Sequence, residues 1–482
     1  MRLLILLAIL VPAWAQPAHR PNYEDDVRPL FARRCFGCHN AGEMRSGLSL
    51  DSYAGVMKGG SSGDVVIAGR AAPSMLFKVV NRDEGVPQMP LGQAKLPDAE
   101  IALIRDWIQF GLLENATSMP KGPVAPSLEY TAGNLNKPAG APAMPEALPA
   151  VTVKDPVRPH PVTALAASPW APLVAIAGHE KIYLYDLAKR EPAGELAFPE
   201  GVPYVLRFSR DGALLLAAGG KAVQSGKVVL FDVHTGNRVA AVGEERDLVL
   251  AADVTPDDKL IALGGPGKVV RVYSATDGKL AYEIKKHTDW ITALEFSPDG
   301  ARLATGDRSG SILLWEAATG GTVGALAEHK DAITSLSWRG DSQLLASASE
   351  DGNLIVWNVN DGFPIATISK PHTRKAAAGE YGVIPGGVLN AQFTNDGRIV
   401  SVGRDSVIRI WGADGKPRGA ASPVNDALLT KVASSADGKL FVAGDYQGKV
   451  ILWDGAKIAM LRRQTASTVA PAAVGTTTAT RR

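Results

Sequence analysis

The sequence predicts a multidomain protein with three parts: a small all-α domain, a proline-rich linker and an all-β propeller of seven blades. Three patterns lead to this prediction. Apolar residues near the N terminus follow helical spacing, prolines crowd one segment, and aromatic residues further along recur at nearly constant intervals. The chain has 482 residues. A single hydrophobic core stops growing at roughly 250–300 residues, so more than one domain is expected.

The first 15 residues have the pattern of a secretory signal peptide. Arg2 supplies a positive start, Leu3 to Val11 is an unbroken apolar run, and Ala13 and Ala15 are small residues at the positions that signal peptidase reads. An uncleaved anchor is the alternative, but the run is too short to span a bilayer comfortably. We therefore expect a bacterial periplasmic or secreted protein, with no integral membrane segment after cleavage.

Residues 22–116 are predicted to form the all-α domain. Val27, Leu30 and Phe31 have the spacing of one helix face, and the acidic residues 24–26 lie in the first turn, where they favour the helix dipole. A second helix is predicted from Pro97, which suits a first helical position. The apolar face of this helix comprises Ile101, Ile104 and Ile108.

The first of these helices leads into Cys35-Phe36-Gly37-Cys38-His39, which is the C-x-x-C-H attachment motif of c-type haem. Two thiols at this spacing can reach the two vinyl groups of one porphyrin, and the adjacent histidine becomes an iron ligand. The alternatives are a surface disulfide, a thioredoxin-like redox pair and half of a zinc site. Because the chain has only two cysteines, we predict one covalently bound haem c on Cys35, Cys38 and His39.

The second iron ligand is predicted to be Met89. It stands in Pro87-Gln88-Met89-Pro90, where flanking prolines restrict the backbone and can hold a loop methionine in one place. Met75 lies in an apolar segment, where methionine is more often core filler. Met44 and Met57 are weaker candidates. The predicted metal ligands are therefore His39 and Met89, and no catalytic residue is predicted.

This part of the chain resembles the planctomycete-type cytochrome c domain. The resemblance implies a class I-like cytochrome c fold with a single haem and with His39 and Met89 as axial ligands. It covers roughly residues 22–113 and rests on Asp26-Val27-Arg28-Pro29-Leu30-Phe31, the haem motif with Asn40, Gly47-Leu48-Ser49-Leu50, Met89-Pro90, Leu96, Trp107-Ile108 and Gly111.

Residues 117–158 are predicted to be a Pro/Ala/Gly-rich linker. Ten prolines occur between residues 117 and 161, and such a segment cannot bury enough apolar surface to fold by itself. It should form either an extended tether with polyproline stretches or a peptide laid along a domain surface.

The propeller is predicted over residues 159–463, followed by a disordered Thr/Ala-rich tail at 464–482. Aromatic residues that end short apolar strands are separated by 46, 42, 42, 42, 54 and 42 residues. Repeats of about 40–45 residues with four strands each resemble the WD-repeat propeller, and the dipeptide Trp453-Asp454 matches its signature. The seven aromatic positions, one for each blade, are Tyr185, Phe231, Tyr273, Trp315, Trp357, Trp411 and Trp453.

The WD-repeat resemblance implies a buried hydrogen-bonded tetrad in each well-formed blade. In blade four, Ser309 stands where the aspartate is expected, and in blade six no histidine aligns. His287 lies 28 residues before its tryptophan, as does the histidine of blade five, so we predict a structural role for both and no metal. Blade five has the full set: His329, Ser347, Asp351 and Trp357.

The 54-residue step contains an insertion at residues 370–387, with Arg374, Lys375, Glu380 and Tyr381. Long loops on a rigid scaffold often carry function, so this segment is a candidate docking loop. A tolerated surface insertion is an equally good interpretation.

Together these features predict an exported mono-haem c-type cytochrome that transfers one electron, with a propeller that docks a redox protein partner. The alternatives are an oxidoreductase whose catalytic propeller is fed by the cytochrome, and a haem-based redox or gas sensor scaffold. An electron carrier is favoured over a stand-alone catalyst. The formal net charge is only +2, which gives no electrostatic reason to expect nucleic-acid binding.

Overall fold

The computed structural model describes residues 21–61, 63–115, 118, 137–146, 148–153, 159–375, 383–384, 386–421 and 428–462. The chain separates into two compact units, residues 1–125 and 126–482. The predicted signal peptide and tail lie outside the described residues, as do much of the linker and, in the insertion, Glu380 and Tyr381. The domain boundaries and these segments therefore stay predictions.

The N-terminal unit is helical, as predicted. Its first turn is capped by Asn22, whose side chain accepts a hydrogen bond from the backbone N–H of Asp25 at 2.9 Å. The second predicted helix begins one residue later than expected, because Pro97 is its N-cap residue. The elements are a π-helical turn Tyr23–Val27, α1 Arg28–Arg34, a 3₁₀ turn Arg45–Gly47, α2 Tyr53–Lys58, α3 Met75–Asn81 and α4 Asp98–Gln109.

One aromatic cluster holds the two ends of this unit together. Trp107 of α4 is fully buried, and its indole N–H donates to the carbonyl of Leu113 at 2.8 Å. The same carbonyl accepts the backbone N–H of Tyr23 at 2.8 Å. The Tyr23 ring lies 5.9 Å from Trp107 and 5.7 Å from Tyr53. Burying these large rings supplies much of the apolar contact in a small core.

The second unit is a propeller of seven blades, and each blade is an antiparallel sheet of four consecutive strands. The strands of blades one to five are β1 Leu165–Ala167, β2 Leu173–Ala177, β3 Lys181–Asp186, β4 Glu191–Ala197; β5 Val202–Phe208, β6 Leu214–Lys221, β7 Ser225–Asp232, β8 Arg238–Glu245; β9 Ala251–Val254, β10 Leu260–Gly264, β11 Val270–Ser274, β12 Leu280–Ile284; β13 Ile291–Phe296, β14 Arg302–Asp307, β15 Ile312–Glu316, β16 Thr322–Leu326; and β17 Ile333–Trp338, β18 Leu344–Ser349, β19 Asn353–Asn358, β20 Phe363–Ser369.

The insertion between blades five and six contains a two-stranded pair, β21 Arg374–Lys375 and β22 Val383–Ile384. Blades six and seven complete the ring. Their strands are β23 Val388–Phe393, β24 Ile399–Gly403, β25 Arg409–Trp411, β26 Pro417–Ala420; and β27 Leu429–Ser434, β28 Phe441–Asp445, β29 Val450–Trp453, β30 Ile458–Arg462.

All seven aromatic positions fall in the third strand of their blade, which confirms the repeat register and the fold class. The blades pack through their apolar faces, with one buried cluster for each pair of neighbouring blades. Within the described part of the chain, no helix has the length and apolar character needed to cross a membrane.

Blade seven packs directly against blade one. Val162, which precedes β1, donates its N–H to the carbonyl of Asp445 at 3.0 Å. In return, the hydroxyl of Thr430 donates to the carbonyl of Val162 at 2.7 Å. Leu165 and Val442 belong to one buried cluster that spans both blades. Because each blade uses four consecutive strands, side-chain packing and these hydrogen bonds close the ring without exchange of a strand.

Candidate functional site

The predicted haem motif forms a single tight turn at the end of α1. The N–H of Cys35 donates to the carbonyl of Phe31 at 2.7 Å, which continues the helix by one residue. The N–H groups of Cys38 and His39 both donate to the carbonyl of Cys35, at 3.1 and 3.0 Å. The two cysteines and the histidine are therefore brought together on one turn, anchored by the fully buried ring of Phe31.

The segment after this turn is tied to the helical core. The carbonyl of His39 accepts the N–H of Leu50 at 2.9 Å. The carbonyl of Leu50 in turn accepts the hydroxyl of the buried Tyr23 at 2.7 Å. The carbonyl of Cys38 accepts the N–H of Arg45 at 3.2 Å. These contacts tie the backbone of Cys38 and His39 to the segment at residues 45–50 and, through Leu50, to the core residue Tyr23.

The side chain of His39 is partly buried, and its Nδ1 is buried without a hydrogen-bond partner among the described residues. A buried polar atom without a partner is uncommon in folded proteins. This ring lies on the same turn as two free thiols. Two thiols are what covalent attachment of haem requires, and a histidine ring is the usual ligand of its iron. The residues present therefore fit a c-type haem.

The thiols do not have the environment of a redox-active pair. Burial raises the pKa of Cys35 to about 11, the charge of Glu100 adds to the rise, and Arg34 opposes it. Reactive cysteines need a lowered pKa, because the thiolate is the nucleophile. In the described residues there is also no group of three or more His, Cys, Asp or Glu side chains that could hold a metal ion. The thioredoxin-like and zinc interpretations are therefore less favoured.

Met89 is partly buried in the loop between α3 and α4, and its N–H donates to the carbonyl of Val79 in α3 at 2.9 Å. The loop is closed by Arg82, whose guanidinium donates to the carbonyl of Gln93 at 2.6 Å. Among the competing methionines, Met57 packs against the apolar core. The other two are largely exposed: Met44 at 45% and Met75 at 42%.

In the propeller, the tetrad of blade five is confirmed. His329 Nδ1 lies 2.9 Å from Asp351, His329 Nε2 lies 2.7 Å from the Ser347 hydroxyl, and the indole N–H of Trp357 donates to that hydroxyl at 2.7 Å. Because an ionised carboxylate can only accept hydrogen bonds, the Nδ1 of His329 carries the proton. Both nitrogens are engaged, which agrees with a structural role and leaves none for a metal.

Two expectations about the other tetrads were wrong. In blade four the carboxylate comes from Asp307, 2.8 Å from His287, whereas Ser309 donates its hydroxyl to Asp307. In blade six His372 fills the histidine position, 2.8 Å from Asp405 and 2.8 Å from the Ser401 hydroxyl. The repeat spacing did not reveal His372, because the insertion lies between this histidine and the strands of blade six.

The innermost strands surround a central channel, which holds a cavity of about 270 Å³. Inside it, Arg207 lies 3.1 Å from Glu295 and 3.9 Å from Asp253, while Arg210 lies 3.2 Å from Glu295. Burial raises the pKa of Glu295 although both guanidiniums lie against it. Sequence reasoning did not identify this cluster. The signal was there, since three of its members occupy the same repeat position in blades two, three and four.

Comparison with known families agrees with this division. Residues 35–90 match the family model described as Planctomycete cytochrome C, a span that begins at Cys35 and ends just after Met89. Residues 278–316, 320–358 and 422–454 match the WD domain, G-beta repeat. No curated protein matches the chain. Both resemblances predicted from the sequence are therefore confirmed.

Proposed function

We propose that this chain, a planctomycete-type cytochrome c domain fused to a WD-repeat propeller, is an exported mono-haem electron carrier whose propeller docks a redox protein partner. The observation that carries the proposal is the turn Cys35–His39, which presents two free thiols and a histidine ring with an unpartnered buried nitrogen.

In this proposal Cys35 and Cys38 hold the porphyrin covalently, and His39 and Met89 ligate the iron. The bound haem supplies a one-electron Fe(III)/Fe(II) couple. The chain's own residues keep the ligands in place: Leu50 and Tyr23 fix the backbone of His39, and α3 fixes the backbone of Met89. Because His39 and Met89 would both ligate the iron, no open coordination site would remain for a substrate, which favours electron transfer over catalysis.

For the propeller, the proposed docking face is the end that carries the turn between the second and third strands of each blade. Since antiparallel strands alternate in direction, the loops between successive blades lie at this same end. Trp290, 39% exposed, and Tyr446, 63% exposed, belong to such segments. The Arg308 guanidinium lies 4.6 Å from the centroid of the Trp290 ring. Exposed aromatic and arginine side chains are the residue types that dominate protein interfaces.

The proposal is tested by expressing the full chain with haem-attachment machinery and measuring its intact mass and visible spectrum. We expect one covalent haem in the wild type, and loss of covalent attachment when Cys35→Ala and Cys38→Ala are combined. Ser49→Ala, outside the motif, is the matched control and should retain the haem. A wild-type protein without covalent haem would contradict the proposal.

A further inference from the structure

The channel contains a group that neither electron transfer nor propeller folding uses. In five blades the innermost strand has a bulge at the same position, and the residue after the bulge lines the cavity. Together with the equivalent residues of the other two blades, these positions form what we call the upper ring. Its members, in blade order, are Ala164, Val205, Ala251, Ala293, Ser335, Asn390 and Lys431.

Most of the upper ring is small or apolar, and its two longest polar side chains stand on neighbouring blades. Asn390 of blade six uses its Oδ1 to accept the N–H of Val432 at 3.1 Å. This contact orients the amide and leaves its Nδ2 as a donor, for which the described residues offer no partner. Lys431 of blade seven occupies the adjacent ring position, and the next member, Ala164, leaves space beside it.

Among the described residues that line the cavity, Lys431 is the one cation without a carboxylate partner. The charged residues that line the cavity are Arg207, Arg210, Asp253, Glu295 and Lys431. Both carboxylates are engaged by the two arginines. Among the described residues, the amino group of Lys431 has no hydrogen-bond or ion-pair partner. Burial, reinforced by the charge of Arg207, lowers its pKa to about 8.

We propose that the channel binds a small monocarboxylate, held between the amino group of Lys431 and the Nδ2 of Asn390. One negative charge balances the single uncompensated cation, and two oxygens match the two donors. A cavity of about 270 Å³ has room for a small organic acid, given that one water takes up roughly 30 Å³. The site uses none of the haem-binding residues and goes beyond the proposed electron transfer.

Binding at this site is coupled to a proton. A carboxylate next to Lys431 favours the charged amine and raises its pKa. Near pH 8, where the free amine is only partly protonated, binding of a carboxylate should therefore draw in a fraction of a proton from the solvent. At pH 6 the amine already carries its proton, so the uptake should vanish.

The test is calorimetric titration of the full-length protein with sodium acetate at constant ionic strength, in two buffers of different ionisation enthalpy. We expect saturable binding in the wild type, with proton uptake at pH 8 and none at pH 6. Lys431→Met should weaken binding by about tenfold or more and abolish the uptake. Lys439→Met, an exposed lysine of the same blade, is the matched control and should bind as the wild type does.

Asn390→Asp provides a second variant that leaves the fold intact, because the new carboxylate still accepts the N–H of Val432. It removes the amide donor and adds a negative charge, so acetate binding should be lost. The proposal is overturned if the wild type shows no saturation, or if Lys431→Met binds acetate like the wild type. Equal competition by chloride would also overturn it, since a two-donor site should prefer a carboxylate.

Discussion

At the scale of single residues, His372 shows how much a buried polar group depends on its neighbours. Its ring is fully buried and bridges Asp405 and Ser401. Asp405 also forms an ion pair with Arg409, and the hydroxyl of Ser401 also accepts the indole N–H of Trp411. Removing the ring leaves a buried carboxylate and a buried hydroxyl short of a partner. Such a loss costs more than the net value of the hydrogen bonds themselves.

We therefore expect His372→Ala to destabilise the propeller by about 2–4 kcal/mol. His179→Ala, which truncates an exposed histidine, should change stability by no more than about 0.5 kcal/mol. Denaturant unfolding followed by tryptophan fluorescence measures both. A His372→Ala protein as stable as the control would show that the tetrad does not support blade six.

The same tetrads predict how stability depends on pH. Burial lowers the pKa of His329 and of His372, so the folded state favours the neutral rings. Their contribution is complete above the unfolded pKa of about 6.5 and is lost as the pH falls below it toward the lowered folded pKa. We expect the propeller melting temperature to drop between pH 7.5 and 5.5.

The His372→Ala variant is the control for this pH dependence. It should show a shallower drop than the wild type, because one of the two titrating rings is gone. Asp258 also titrates in this range, because burial raises its pKa to about 6. Since Asp258 is present in both proteins, the difference between their pH profiles reports the contribution of His372. Parallel pH profiles for the two proteins would exclude a contribution of His372.

At the scale of elements, small residues near the end of the second strand let neighbouring blades approach. A Cβ added to Gly306 of β14 would lie 2.7 Å from Cγ2 and 2.9 Å from Cβ of Ile333, the first residue of the next blade. The β-branched side chain has little freedom to move aside. The outer strand β16 has no such restriction, since a Cβ on Gly324 would meet no atom within 4 Å.

Gly306→Ala should therefore destabilise the propeller by about 1–3 kcal/mol through overpacking. Gly324→Ala should be neutral or slightly stabilising, because it restricts the unfolded chain without a clash. Thermal unfolding of the two variants gives the comparison. If both variants melt at the same temperature, blade packing tolerates a methyl group at this contact, which would contradict the prediction.

Elements were also what the sequence predicted best. The periodic aromatic residues located the third strand of every blade, and the apolar spacing located α1 and α4, because both signals are local. His372 and the cluster around Arg207 and Glu295 were not found. The insertion displaces His372 from the repeat spacing. The shared repeat position of Arg207, Asp253 and Glu295 is visible in the sequence, but it shows contact between them only once the strands are known to line one channel.

At the scale of the whole molecule, the ring closes through Val162. Its side chain is buried in the cluster that joins blades one and seven, and its backbone makes two hydrogen bonds to blade seven. Closure covers the apolar faces of these two blades, which would otherwise be exposed and free to associate with other chains.

We expect Val162→Asp to lower the melting temperature of the propeller strongly, because it places an unpaired charge in this cluster. Val223→Asp, at a position 82% exposed, should have little effect. Calorimetry measures the melting temperature of both variants, and light scattering would reveal association of opened rings. A Val162→Asp protein that melts like the control would show that closure depends on other contacts.

In the proposed function one haem is held by Cys35 and Cys38 and ligated by His39 and Met89. This ligation is tested by an optical redox titration of the mature protein, with carbon monoxide added after reduction. We expect a low-spin haem that titrates with one electron at a positive potential and does not bind carbon monoxide. We also expect that Met89→Ala, unlike Met75→Ala, opens the site to carbon monoxide. A wild-type haem that is high-spin or binds carbon monoxide would contradict the Met89 ligation and favour the sensor or enzyme interpretation.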